Sequence, residues 1–589
     1  MSYSLPVHAG TVLVFLTLMF TPAALVQAQD GDTDTSFAIV GVNVIPMDEE
    51  RILEDQTVIV SNGVIRSISD ATTTALPADL TRIEGNGRYL MPGLADLHIH
   101  LRHADEFVNY LAWGVTTVMH LGGSGESGRQ QLAYRESIKN GSLLGPNIYT
   151  TGRIFDGDPA LPRDAHSLTT RADARRAVQD LKANGFDFIK IYNNVSRPVF
   201  EAIVAEARTQ ELSVIGHIPR SFDPLIALGG GQNAIAHTEE LFFTYFKGPR
   251  NTENMPRDYE PDLGKLPKLI EVLVDNNVAL MPDLCFTFTN LLMWDGLDIL
   301  WRDPEFPYLR PSTASLWQRG NINRRSEIEN FIVRGQWKYN LMQKLTLEFQ
   351  KAGILQVIGT DASLPGLFPG KAVHRELTEL VKAGISNFDA LAIGSRNAAE
   401  FIKRYIDRDA RFGQVKPGYR ADLVLLTENP LQDVRHARTV SAVTVNGRYV
   451  DKSRLDERRA TLRTRYAILF AANDQVDAAL ASDDARIVIA EIIAMHQDDA
   501  GILATIESRI NSAGYAAAFA DELDRSQQIL ELNTKLFPDS ANTWDSLAEV
   551  LFYVGDRDRA LEFYRKALEV DPGFTSAAEN IEKILREKN

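Results

Sequence analysis

Four histidines, an aspartate and a lysine stand at or near the ends of short apolar runs. They are His98 and His100 in LMPGLADLHIHL, Lys190 in FDFIKIY, His217 in SVIGHI, His237 in NAIAHTEE and Asp361 in LQVIGTD. Imidazole and carboxylate groups bind divalent metals, and one or two such ions around an activated water can hydrolyse an amide or ester without a covalent enzyme intermediate. Zinc is the first expectation, while manganese, iron and cobalt suit the same ligands. His98 and His100 are two apart, so on a strand both side chains face one side. Lys190 lies in an apolar strand, where an ammonium is costly unless it is paired or chemically altered. Either an acid such as Asp187 or Glu239 neutralises it, or it takes up carbon dioxide to give an anionic carbamate able to bridge two metals. Taken singly, His217 and His237 read as core histidines and Asp361 as a helix cap. Taken together, at successive strand ends, they point to one centre.

The elements that must position these groups alternate. LADLHIHL, TTVMHLGG, NIYTTGRIF, FDFIKIY, SVIGHI, NAIAHTEE, VALMPDL and LQVIGTD read as strands. Amphipathic helix patterns such as TRADARRAVQDLKANG and PVFEAIVAEARTQE lie between several of them. Alternating units of this kind predict an α/β fold with a parallel sheet, and eight of them predict a TIM barrel, (β/α)8, over residues 90–409. Chemistry in such barrels gathers at the C-terminal strand ends, where all six groups fall. Residues 37–89 and 410–455 carry β-rich runs with hairpin signals at Asn62-Gly63 and Asn446-Gly447. They predict a small β-sandwich built from both flanks, with the barrel inserted. The aromatic-rich connection 285–350 is too long for a barrel loop and reads as a partial lid.

Residues 456–589 read as all helix. Trp544, Leu547, Ala548, Leu551, Ala560, Tyr564, Ala567 and Pro572 fit a tetratricopeptide-like spacing. Two such units rarely hold a core alone, so this tail is expected to pack on its own barrel or on another subunit. At the other end, Thr11–Phe20 is an apolar core followed by Val26-Gln27-Ala28, and residues 1–28 read as a signal peptide, although no Lys or Arg precedes the core. The protein is therefore expected to be exported, periplasmic or secreted, without stable membrane insertion. The net charge of −16 over 589 residues and the lack of a basic stripe argue against nucleic acid and anionic membrane surfaces as partners; the partner expected is a small-molecule substrate, which the charge does not identify. The single cysteine, Cys285, sits in an apolar context and reads as a buried, inert thiol.

In order along the chain, MPGLADLHIH, GVTTVMHLGG, FIKIY, His217, His237, GTD at 359–361 and FGQVKPGYRADLVLL resemble the amidohydrolase superfamily, near its imidazolonepropionase-like and prolidase-like branch, over about residues 37–455. The resemblance implies that His98 and His100 bind the more buried metal with Asp361, that His217 and His237 bind the second, and that a carboxylated Lys190 bridges them. It implies that Asp361 takes the proton of the bridging water and delivers it to the leaving nitrogen. Met119-His120 departs from the Arg-Asp of many relatives, so His120 either faces substrate or backs the ligands. Tyr192 and Arg220 are candidates for contacting a substrate carboxylate. The implied substrates are dipeptides, N-acyl amino acids or cyclic amides. Lactone or organophosphate-type ester cleavage on the same centre is an alternative, and a peptide-binding helical scaffold with a relic barrel is another.

Overall fold

The computed structural model describes residues 35–123, 125–160, 165–250, 256, 258–295, 298–319 and 328–588. The expected signal peptide lies outside them. Five strands open the described chain: β1 (Phe37–Val44), β2 (Leu53–Ser61), β3 (Val64–Asp70), β4 (Thr81–Glu84) and β5 (Tyr89–Pro92). A run of short strands follows: β6 (Leu94–Ile99), β7 (Val115–His120), β8 (Asn147–Thr150), β9 (Phe155–Asp156), β10 (His166–Ser167), β11 (Ile189–Ile191), β12 (Val214–Gly216), β13 (Ala234–Ile235) and β14 (Ala279–Leu280). β15 (Leu423–Leu426), β16 (Val440–Val445) and β17 (Arg448–Asp451) come last.

The two flanks join in one eight-stranded sheet, in the order β17-β16-β15-β5-β1-β2-β3, with β4 beside β1. A two-sheet sandwich was expected. Instead a single sheet bends, and its far edge meets the chain again where Ile65 donates to Tyr419 O at 2.9 Å and Ala421 to Gly63 O at 2.8 Å. Side chains alternate along β15 as a pleat requires. Leu423 and Leu425 enter a cluster with Phe37, Val44 and Val60, while Val424 and Leu426 face the central unit. Tyr89–Pro92 belongs to this sheet, and the first tail helix starts at Lys452.

The middle region holds two parallel sheets, β6-β7-β8 and β10-β9-β11-β12-β13-β14, rather than one assigned eight-stranded sheet. Their edges are linked by a few backbone hydrogen bonds. Asp187 donates to Thr150 O at 2.9 Å, Val357 to Leu280 O at 3.0 Å, and Leu97 to Ile358 O at 2.8 Å. Residues 355–358 form no assigned strand, yet they bond on one side to β14 and on the other to β6. Amphipathic helices cover the outside. In Arg171–Ala183 the Thr170 hydroxyl accepts the Asp173 amide, and Ala174, Ala177, Val178 and Leu181 recur at helical spacing on the buried face.

The tail is a succession of helices from Lys452–Leu480 to Thr575–Lys588, and antiparallel neighbours pack in pairs. It lies against the central unit. Arg459 pairs with the buried Glu305, and Phe470 stacks near Phe306 at 5.4 Å. Arg509 reaches Ser315, and Arg153 pairs with Glu579. Among the described residues, no helix is long and apolar enough to cross a membrane.

Candidate metal centre

Every candidate ligand stands at the end of a parallel segment. His98 is in β6 and His100 just beyond it; Lys190 is in β11; His217 follows β12 and His237 follows β13; Asp361 follows residues 355–358. Two glycines permit the close approach. Gly216, at φ 141, leads into His217, and a Cβ there would meet Ile191 O at 2.2 Å. A Cβ on Gly359 would lie 2.5 Å from Asp283 Oδ1 and 2.7 Å from His98 Cβ.

The side chains converge on Asp361. Its Oδ1 lies 3.0 Å from His100 Nε2 and 3.4 Å from His98 Nε2, and its Oδ2 lies 3.8 Å from His237 Nε2. One ligand atom from each of His98, His237 and Asp361 falls within 4.8 Å of the others. The ring of His217 is 4.8 Å from that of His237. Three of the four imidazoles, those of His98, His100 and His217, are held from behind by an acceptor at Nδ1. His100 Nδ1 is 3.0 Å from Gly122 O, and His217 Nδ1 is 3.0 Å from Asn193 Oδ1 and 3.2 Å from Glu240 Oε1. His98 Nδ1 is 3.1 Å from Ala236 O and 3.2 Å from Asp283 Oδ2, which also lies 2.6 Å from His237 Nδ1. A proton held on Nδ1 leaves the Nε2 lone pair free for a cation, and such partners fix ring orientation.

Burial decides the charges. It holds His98, His217 and His237 well below the usual imidazole range, with Lys190 adding to the effect at each, so they are neutral and able to ligate. Burial pushes Asp361 up, but the hydrogen bond and charge of His100, with His237 and Lys190, outweigh it and keep the carboxyl below its ordinary range. Burial lowers Lys190 to about 8 against the opposing pull of Asp361, Asp283 and Glu240. The acids considered as its partners are used elsewhere: Asp187 pairs with Arg135 at 2.8 Å, and Glu239 with Lys338. Lys190 Nζ and His98 Nε2 are buried with no hydrogen-bond partner. Neutral imidazoles, an ionised carboxylate and these unsatisfied atoms form a donor set that fits a divalent cation.

The three substrate candidates are placed differently. The Tyr192 ring lies 4.0 Å from that of His217, and burial raises its hydroxyl. Arg220 gives its fork to the buried Glu240, at 2.6 and 3.2 Å, and lies over Phe243. His120 is buried behind His100; its Nδ1 accepts the Leu101 amide at 3.1 Å, and its ring is 6.2 Å from that of His100. Cys285 is buried and its thiol is raised well above the usual range, first by burial and then by Glu376.

Sequence reasoning passed over Asp96 and Asp283. Asp96 accepts from Thr360 Oγ1 at 2.6 Å and Thr360 N at 3.1 Å, tying the Asp361 turn to β6. Asp283 ends the run VALMPD much as Asp361 ends LQVIGTD, and that parallel was the available signal. Burial, then Glu376, Asp361 and Asp96, push Asp283 well above the usual range; a bound cation works in the opposite direction.

Residues 345–450 match the Amidohydrolase family model. A search of curated proteins finds no match. Among solved structures, the chain is similar to a putative prolidase from Bifidobacterium longum, at 24% identity and TM-score 0.55, over 72% of this chain and 98% of that one. It is similar to bottromycin amidohydrolase at 21% identity and TM-score 0.59, over 76% of this chain and 94% of that one. It is also similar to a Xaa-Pro dipeptidase with bound methionine in the active site, at 17% identity and TM-score 0.52, over 71% of this chain and all 100% of the other. The solved structures share the fold, and the family match over 345–450, which begins before Asp361 and ends in β17, supports a hydrolase acting on carbon–nitrogen bonds.

Proposed function

We propose that this chain is an exported, metal-dependent amidohydrolase that cleaves a small amide: a dipeptide, an N-acyl amino acid or a cyclic amide. The observation that carries it is the set of imidazoles, from His98, His100 and His237, around an ionised Asp361 beside an unpaired, buried Lys190. The linked parallel sheets support a (β/α)8 barrel with this centre at its mouth, and the paired tail helices support the tetratricopeptide-like reading. The named prolidase, amidohydrolase and dipeptidase likenesses give amides precedence over esters.

His98, His100, His217, His237 and Asp361 would hold one or two divalent ions, zinc first among them. Such an ion lowers the pKa of water and polarises the amide carbonyl. Asp361 does the proton work. Being ionised, it takes a proton from the attacking water as the new C–O bond forms, then delivers it to the leaving nitrogen as the C–N bond breaks. Lys190, lowered to about 8, has a neutral amine fraction at neutral pH that can bond to the carbon of carbon dioxide with loss of one proton, and the resulting carbamate would be a further anionic ligand for the metal. Tyr192, beside His217, is positioned to orient the carbonyl or a carboxylate of the substrate.

Purified protein is expected to carry a divalent metal, to lose activity on chelation and to regain it on reconstitution. On a panel of dipeptides, N-acyl amino acids, cyclic amides and lactones, an amide should turn over fastest. His98→Ala is expected to lower kcat/KM at least about 100-fold along with metal content. Full activity in that variant, or metal-free active protein by elemental analysis, would overturn the proposal.

A further inference from the structure

We propose that the C-terminal helical tail sets the length of substrate that the centre accepts: it walls the entrance beside His100, and its last helix, Thr575–Lys588, is a flap closed by one weak ion pair, Arg153–Glu579. The inference rests on the proposed function, which brings an amide to this centre.

The ligands themselves locate the entrance. The His100 side chain is 24% exposed, against 1% for His98, 6% for His237 and Asp361, and 9% for His217. The centre therefore meets solvent beside His100. On one side of that ring, His100 Nδ1 rests on Gly122 O, and the next residue, Gly123, pairs by a β-bridge with Arg153, which follows β8. On the other side, Trp317 from the connection after β14 bonds Ser363 O, two residues past Asp361. The tail touches this arc at both ends.

The two ends are held differently. Near its start the tail is knotted to the segments after β6 and β14. Arg459 pairs with Glu305, both mostly buried, donates to Asn109 Oδ1 at 3.3 Å and lies 3.8 Å over the Tyr308 ring. Tyr466 is fully buried, and Phe470 packs on Phe306. Breaking a buried pair shifts an equilibrium by more than about 100-fold. At the far end, Glu579 of the last helix pairs with Arg153, and the Glu579 side chain is half-exposed. An exposed pair holds its partners by no more than about five-fold. Two other side chains of that helix bond within the tail: Ser576 Oγ donates to Asp545 at 3.1 Å, and Lys583 lies over Phe552. The near end thus stays fixed, while the far end opens and closes. Closed, it confines whatever part of the substrate projects past His100, and an extended substrate must wait for it to open.

The test is kcat/KM of the metal-reconstituted full chain on a dipeptide, on the same dipeptide lengthened by one to four alanines at its amine, and on N-acetyl and N-lauroyl forms of one amino acid. The parent should prefer the short member of each series by at least about 10-fold. Glu579→Ala frees the flap, so it should raise kcat/KM for the long members by up to about five-fold and leave the short ones unchanged. Added salt should raise the long-to-short ratio of the parent and leave that of the variant where it is. Glu579→Arg should behave like Glu579→Ala, and Arg153→Glu added to it should restore the parent's preference, which a merely structural role would not do. Should Glu579→Ala fail to fold, Glu579→Gln removes the same charge at constant shape. A parent that cleaves long and short members alike, or a Glu579 variant with the parent's length preference, overturns this inference and leaves the proposed function standing. So does a variant that loses the long members, since the tail would then hold them rather than exclude them. Cleavage of no amide by the parent overturns the proposed function and this inference with it.

Discussion

At the scale of single residues, the centre depends on a side chain that is not there. Gly359→Ala places a methyl against Asp283 Oδ1 and His98 Cβ, both under 3.0 Å away. Neither neighbour is a free flexible end, so the variant is expected to lose about 1–3 kcal/mol in denaturant melts and to bind metal more weakly. Loss of stability with unchanged metal affinity would show that the turn relaxes away from the ligands. The histidines, Lys190 and Asp361 were legible in the sequence because ligand-type residues at the ends of apolar runs have few other uses. Asp283 was not legible in that way. Its neighbours suggested a strand end or a buried thiol, and the side chains beside it come from positions 98 and 237. Arg220 was legible as a cation but not as one already committed to Glu240. The next residues in sequence say nothing about which buried acid a guanidinium will meet.

At the scale of elements, the long connection after β14 supplies a wall. Its helix Pro311–Arg319 brings in Trp317, which is buried and donates to Ser363 O at 3.0 Å, two residues beyond Asp361. The same connection carries Glu305, where Trp113 Nε1 and the tail residue Arg459 both donate. Glu305→Gln keeps an acceptor for Trp113 but strips the charge from a mostly buried pair. It should destabilise the protein by about 3–5 kcal/mol at most, the range for breaking buried pairs, and should raise KM more than it lowers kcat if this wall lines the substrate path. Thermal melts and a kcat-against-KM comparison check both parts. The existence of this insertion was visible in its length and aromatic content. Its attachment to the tail was not, because an ion pair between residues 305 and 459 leaves no local mark. For the same reason the flanks read as a sandwich: each strand's own alternation was plain, but the pairing of β5 with β15 is a long-range choice.

At the scale of the whole molecule, stability should be squeezed from two sides of pH. Burial lowers His374, whose Nε2 sits 2.8 Å from Trp113 O, from 6.5 to about 4. The unfolded chain binds this proton first, so the contribution is complete above pH 6.5 and is lost as pH falls through about 4, a difference of about 3 kcal/mol. Burial raises Glu106 from 4.5 to about 8, followed by the Asp105 charge. That group acts in the opposite sense: its contribution is complete below pH 4.5 and is lost as pH rises through about 8. Unfolding free energies measured from pH 4 to 9 should lose the slope between about pH 4 and 6.5 that His374 contributes in His374→Gln, and the opposite slope between about pH 4.5 and 8 that Glu106 contributes in Glu106→Gln. Identical curves for either variant and the parent would contradict the assignment.

The joined flanks also impose an order of events on a growing chain. β15 lies between β5 and β16, and it is translated about 330 residues after β5. At roughly 5–20 residues per second, the N-terminal strands wait for something like 15–70 s with an open edge before their partner emerges. The flanking sheet therefore closes late, after the whole of the inserted unit has emerged. A chain whose first sheet stays open until about 420 of its 589 residues have been made is one that a holding chaperone can accompany.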